Sequence, residues 1–331
     1  MSKFHILFGW LLLQTFDLSA QLQIGNDVQG DGAVCMPDAR TVAVGGYYPD
    51  SNGAGYVKIY ELKNNHWTQK GTEIVGEAAD DYALNAIDMP DANTIAIGAE
   101  NNDGNGSASG HVRVYSWDGT SWIQKGGDID GEEEWDHSGN SVSMPDANTI
   151  AIGAENNDGN GSASGHVRVY SWYGTSWIQK GIDIDGEVAG DGSGASVSMP
   201  NAVTVAIGAP NNDKDEIESQ SNGHARVFIW TGTLWQQKGE DINGESAWDL
   251  FGESVSMPDE NTIAVGGPNN DGANDSGNQS GHVRVYSWDG TSWIQPGGDI
   301  QGAAYLEFLG NWVCMPDSNT VAVNPGRVYS L

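Results

Sequence analysis

Downstream of the first thirty or so residues, apolar and polar positions alternate in short runs, and no stretch shows the three-to-four spacing of a helix. The segment ending at Glu187 shows the pattern best. Asn140-Ser-Val-Ser-Met144 alternates, a Pro-Asp-Ala-Asn turn follows, and Thr149-Ile-Ala-Ile-Gly153 alternates again. After a loop of Gly, Asn and Ser, His166-Val-Arg-Val-Tyr-Ser-Trp172 alternates, and a tight turn at Tyr173-Gly174 leads into Ser176-Trp-Ile-Gln-Lys180. The spacing predicts four short antiparallel strands, a to d.

This unit is repeated along the chain. Met144 to Glu187 matches Met89 to Glu132 except for Tyr173 against Asp118 and Ile182 against Gly127. Looser copies begin at Met36, Met199, Met257 and Met315, in steps of 53, 55, 55, 58 and 58 residues. Four strands repeated at a fixed period predict an all-β fold, a six-bladed β-propeller, with seven blades as the alternative. Gln23 to Gly30 matches strand d and its exit with no strand a, b or c before it, whereas the sequence stops after strands a, b and c (Asn311 to Leu331). The N-terminal strand is therefore expected to complete the last blade and close the ring.

The first twenty residues differ from the rest. Lys3 precedes an apolar run from Phe4 to Leu13, and Leu18-Ser19-Ala20 offers a cleavage point, so residues 1–20 read as a signal peptide and residues 21–331 as one secreted propeller domain. Forty-five acidic against 14 basic residues give a net charge of -31, which disfavours nucleic acid and anionic membrane and favours cations or basic partners. Cys35 and Cys314 hold the same place in the first and last copies, so a disulfide clasp across the closure is expected.

Phe251-Gly252-Glu-Ser-Val255 followed by Ile263-Ala-Val-Gly-Gly-Pro268 resembles the FG-GAP repeat, the blade unit of integrin α-subunit propellers. Ser193-Gly194 with Gly208-Ala209-Pro210, and Ser138-Gly139 with Gly153-Ala154, are weaker versions. The resemblance implies an extracellular propeller used in cell adhesion or ligand binding, and no particular chemistry. It does not extend to the integrin calcium loop, because the a-b connection here is only Met-Pro-Asp-Ala-Asn-Thr.

Acidic loops lie elsewhere. The b-c loops carry Asp103, Asn105, Asp158, Asn160, Asp213 and Asp215, whose spacing before Gly resembles the start of an EF-hand loop. Calcium ligation and plain turn chemistry both account for them. A second series, expected in the d-a connections, comprises Asp128, Asp130, Glu132, Asp183, Asp185, Glu187, Asp241 and Glu245. Both series should share one face of the ring and offer a ligand-binding rim. His111/Arg113, His166/Arg168, His224/Arg226 and His282/Arg284 sit two apart on strand c, and their recurrence suggests structural pairing with carboxylates of the neighbouring blade. Paired tryptophans flank the c-d turns of four repeats (Trp117/Trp122, Trp172/Trp177, Trp230/Trp235 and Trp288/Trp293), as hairpin staples or, alternatively, carbohydrate platforms.

No nucleophile is placed beside a base, so the expectation is a secreted, non-enzymatic binding or adhesion propeller with calcium as an aid. Its partner would be an extracellular protein or glycan. A Trp-rich glycan-binding or glycan-active propeller and an acidic cation-holding matrix component are the competing readings.

Overall fold

The computed structural model of the chain describes residues 23–30, 32–47, 54–78, 81, 86–213, 221–271 and 279–331. The expected leader and Asp215 lie outside them. Each repeat folds into one antiparallel sheet, and six sheets stand in a ring as the blades of a β-propeller. Blade 3 shows the plan: strand a is Ser141–Asp146, b is Thr149–Ala154 and c is His166–Trp172. The outer strand d comes in two pieces, Trp177–Gln179 and Ile184–Asp185, both paired with strand c.

Local chemistry explains this layout. Strand b is buried along its whole length because blades cover both of its faces, and Ile150, Ala151 and Ile152 give it no polar side. Pro145 falls where the a-b register shifts between Ser143 and Asp146, so its missing N–H interrupts no ladder bond. Gln179 pairs with Tyr170 while Ile184 pairs with Val167, so residues 180–183 bulge out of strand d. That bulge places Asp128, Asp183 and Asp241 inside the outer strand of their blades, where the sequence reading expected a d-a connection.

The core is a set of layers between blades. Ala96, Val112, Val114 and Ile129 of blade 2 pack on Met144, Ile150, Ile152 and Tyr170 of blade 3, and equivalent clusters fill the other seams from blade 1 through blade 6. The four seams from blade 1 to blade 5 are also stapled at the rim. Trp235 Nε1 donates to the carbonyl of Lys180 in the preceding blade at 2.7 Å, and the Lys180 ammonium lies 5.4 Å from the Trp230 and Trp235 ring centroids. Trp230 and Trp235 themselves meet at 5.4 Å and 55°. The expected pairing of the c-d tryptophans is thus observed, with a lysine capping each pair.

The seam between blades 6 and 1 differs. Met36 is 53% exposed and Val328 67%, whereas Met144 is 4% and Val114 1% exposed at matching positions. Blade 6 has three strands, Val313–Asp317, Thr320–Val323 and Arg327–Ser330, and among the described residues no N-terminal strand is paired to it. Residues 23–27 nevertheless reproduce the exit of strand d. Gln23 donates to Asp27 at 2.7 Å as Gln124 does to Asp128 at 2.6 Å, and the Ile24 carbonyl accepts Trp67 Nε1 at 2.9 Å. Residues 23–27 therefore stand where the last blade's outer strand would end, held through blade 1.

The expected disulfide is not formed: Cys35 and Cys314 are free thiols. Their position explains it. At each inner strand the residue before Met points forward to the next blade: Ser143 Oγ accepts the Met199 N–H at 3.0 Å and Ser256 Oγ accepts that of Met315 at 2.9 Å. Cys35 likewise turns to Asp88 of blade 2, with Sγ 3.6 Å from Oδ1, and so away from blade 6. Burial, then the Asp88 carboxylate, pushes the Cys35 thiol up to about 12.

Asp88 is the one carboxylate in that belt of Ser and Cys. It accepts the N–H groups of Met144 at 2.6 Å and Met89 at 2.8 Å, yet burial raises its pKa above the usual range. A raised folded-state pKa means that this group costs the fold nothing below the ordinary carboxyl range, and that stability is lost as pH rises from there through the folded pKa. Asp88→Ser, which copies Ser143, is expected to raise the urea midpoint at pH 8 and to leave it unchanged near pH 3. An equal gain at both pH values would show that charge is not the cause.

Candidate functional site

The broken outer strand and the d-a connections build one face of the ring together with the b-c loops. The two sets of loops interlock: Asn105 Nδ2 donates to the Gly131 carbonyl at 2.7 Å, and Trp135 N donates to the Ser107 carbonyl at 2.8 Å. The expectation that the two acidic series share a face is thereby met. Glu155 adds to it nearer the axis, where burial and then Glu100 and Glu253 raise its pKa, and Glu253 lines the central channel.

The b-c oxygens named as calcium candidates mainly shape their own loops. Asp103 Oδ1 accepts Ala108 N at 2.9 Å, Asp158 Oδ1 accepts Ala163 N at 2.8 Å, and Asp213 Oδ1 accepts Ser221 N at 2.6 Å. Asn160 Nδ2 donates to the Gly186 carbonyl at 2.7 Å, as Asn105 does to Gly131. Asp136, Asp191 and Asp249 tie the d-a turn to the next b-c loop; Asp136 Oδ2 accepts Glu133 N at 2.9 Å and Asn157 Nδ2 at 3.2 Å.

The second acidic series converges with the strand-c histidines. At the seam of blades 2 and 3, His166 Nδ1 lies 3.8 Å from Asp183 Oδ2 and 4.0 Å from Glu132 Oε2. Equivalent groups are Glu187, His224 and Asp241; Glu245, His282 and Asp299; and Glu77, His111 and Asp128. Each histidine opens strand c, and the bulge of strand d carries the Asp opposite it. Asp130 and Asp185 contribute through the backbone instead: their carbonyls accept Arg168 Nη2 at 2.7 Å and Arg226 Nη2 at 2.8 Å.

The arginines bear out the expected pairing across seams. Arg168 Nη1 is 3.5 Å from Glu132 Oε1, and Arg226 Nη1 is 3.6 Å from Glu187 Oε1. Blade 5 is different, because Arg284 bonds Asp299 through Nε at 3.0 Å and Nη2 at 3.1 Å and also holds Glu245. Burial, then the adjacent arginine, lowers the pKa of His166, His224 and His282 to about 4, so these imidazoles are neutral at neutral pH. Burial raises Glu132 and Glu187 above the usual carboxyl range, with the arginines pulling the other way.

The sequence reading missed two residues of this face. Trp135 and Trp248 stand 59% and 56% exposed in the d-a loops, in the left-handed backbone region at φ 70° and 69°. Side chains other than glycine rarely adopt that conformation, and it turns each indole out among carboxylates. The available signal was position, since these two fall outside the Ser-Trp-x-Gly-Thr-Ser-Trp hairpins.

Fold and site together define a six-bladed propeller with an acidic, tryptophan-bearing loop face and buried histidines at its seams. No family model matches the chain, and no curated protein matches it. Solved structures do. It is similar to Kuenenia stuttgartiensis hydrazine synthase, with 13% identity over 92% of this chain and 84% of that one and a TM-score of 0.55. It is also similar to a putative 6-phosphogluconolactonase from Bacteroides uniformis, with 9% identity, 88% and 78% coverage and a TM-score of 0.57. Chaetomium thermophilum Sqt1 follows at 15% identity, 86% and 64% coverage and 0.52. At such identities the likeness carries the fold alone. Among the described residues, no helix is long and apolar enough to cross a membrane.

Proposed function

We propose that this is a secreted, non-enzymatic binding propeller of FG-GAP type whose acidic loop face docks a basic, lysine- or arginine-rich protein partner. The observation that carries this reading is the pair of outward indoles, Trp135 and Trp248, set in an otherwise carboxylate-rich rim. Carboxylates attract a basic segment over a distance and desolvate poorly, whereas an exposed indole gives the contact apolar area and a face for a cation. The net charge of -31 serves the same end by steering cationic partners. The strand tryptophans suit a glycan platform less well, since lysines such as Lys125, 5.2 Å from the Trp172 centroid, cover their faces.

Poly-L-lysine binding followed by tryptophan fluorescence and calorimetry tests the reading. Binding is expected at 50 mM salt and should weaken severalfold at 500 mM. Trp135→Ala and Trp248→Ala should each lower affinity about tenfold, a change of about 1.4 kcal/mol, with unchanged melting temperatures because both side chains are exposed. Absent binding at low salt, or binding indifferent to both substitutions, would refute it.

A further inference from the structure

We propose that Glu132, His166 and Asp183, and separately Glu187, His224 and Asp241, each bind one divalent transition-metal ion of the zinc class. Three features of the seams point there. The imidazoles are buried, with His166 and His224 each 1% exposed, and neither ring nitrogen of either residue has a hydrogen-bond partner. A buried polar atom left unpaired is destabilising, and native structures rarely keep one without a reason. Here each Nδ1 is aimed at two carboxylates, with His224 Nδ1 3.9 Å from Glu187 Oε2, and the donor atoms of each trio lie within 4.8 Å of one another.

The surrounding hydrogen bonds sort the oxygens. Glu132 gives Oε1 to Arg168 and turns Oε2 to His166. Asp183 gives Oδ1 to Gln179 Nε2 at 2.5 Å and turns Oδ2 to the same imidazole. Asp241 is held likewise by Gln237 at 2.7 Å and Glu187 by Arg226. Partners that fix one oxygen of each carboxylate and leave the other free are how proteins orient metal ligands. A tetrahedral ion with bonds of about 2.0–2.2 Å holds its donors about 3.4 Å apart, so His166 Nδ1 must draw each oxygen in by about half an ångström, and the two oxygens, within 4.8 Å of each other, close by no more than about 1.4 Å. A neutral imidazole with two carboxylates suits zinc, cobalt or manganese, whereas calcium takes oxygen ligands only. The first trio has access, because a groove of about 430 Å³ opens on Glu132 and Asp183 beside Asn157, Asp158 and Gly159.

The other two seams lack one requirement each. Arg284 already bonds both Asp299 and Glu245. At His111 only Nε2, and not the Nδ1 that faces Asp128, is fully buried without a partner. Two ions per chain are therefore expected. The inference stands apart from partner docking, since an inorganic ion is the ligand and either property can fail alone.

The full chain, dialysed against chelator, would be titrated with zinc by calorimetry and with cobalt by visible absorption. The expected result is two ions per chain, intense cobalt bands near 600 nm of the tetrahedral kind, and a zinc-dependent rise in melting temperature. His166→Gln and His224→Gln should each remove one ion. Should these buried changes unfold the protein, the more exposed Glu132→Gln and Glu187→Gln should each weaken one site at least tenfold in a folded chain. Zinc uptake unaltered by all four substitutions, or no uptake by the unaltered protein at 100 μM free zinc, would overturn the proposal.

Discussion

Gly208→Ala is expected to destabilise the propeller by about 3 kcal/mol, a large share of the roughly 5–15 kcal/mol by which folded proteins are stable. A Cβ at that site would stand 1.9 Å from the carbonyl oxygen of Gly252 in the next blade. Backbone cannot rotate aside as a side chain can, so the seam must open. Gly98, Gly153 and Gly266 meet Gly139, Gly194 and Gly310 in the same way, at 2.0, 2.1 and 2.0 Å. The lead-in to each strand a crosses strand b of the preceding blade there, and only a residue without a side chain permits it. Gly127→Ala is the control, since nothing lies within 4 Å of its Cβ position and the next repeat carries Ile182 there. Urea unfolding followed by fluorescence should separate the two; equal midpoints would show that the crossing is looser than the distances say.

Trp235→Ala is expected to lower stability by about 3–5 kcal/mol. The indole is buried, packs with Trp230, and donates to the Lys180 carbonyl across the seam. Its loss leaves a cavity in the blade 3 to blade 4 layer, an unpaired carbonyl and an exposed Gly181, whose Cβ position lies 3.1 Å from Trp235 Cδ1. Trp235→Phe keeps most of the volume and loses the donor, so a smaller cost of about 1–2 kcal/mol is expected. The same denaturation measurement decides it. A near-zero effect of the alanine variant would mean that blade packing holds the rim without the staple.

Much of the fold is legible in the sequence. The Met-Pro spacing set the number of blades, and alternation placed strand c of blade 3 at His166–Trp172, where the structure has it. Less was legible at the site. The carboxylates and the His-x-Arg pairs were both visible as repeated residues, but their meeting was not. Asp183 reaches His166 only because strand d bulges between Gln179 and Ile184, and Glu132 arrives from the blade before. No short-range pattern encodes a contact between residues 34 positions apart.

The cysteines make the same point from the other side. Matching positions in the first and last repeats suggested a bond, yet Cys35 turns to Asp88 of the next blade and both thiols stay free. By itself the sequence determined what is local and periodic: strand lengths, turns, the repeat, the charge. Tertiary structure alone decided which oxygen faces which nitrogen, which thiol turns from its twin and which indoles reach solvent, because those outcomes depend on how one blade is rotated against the next.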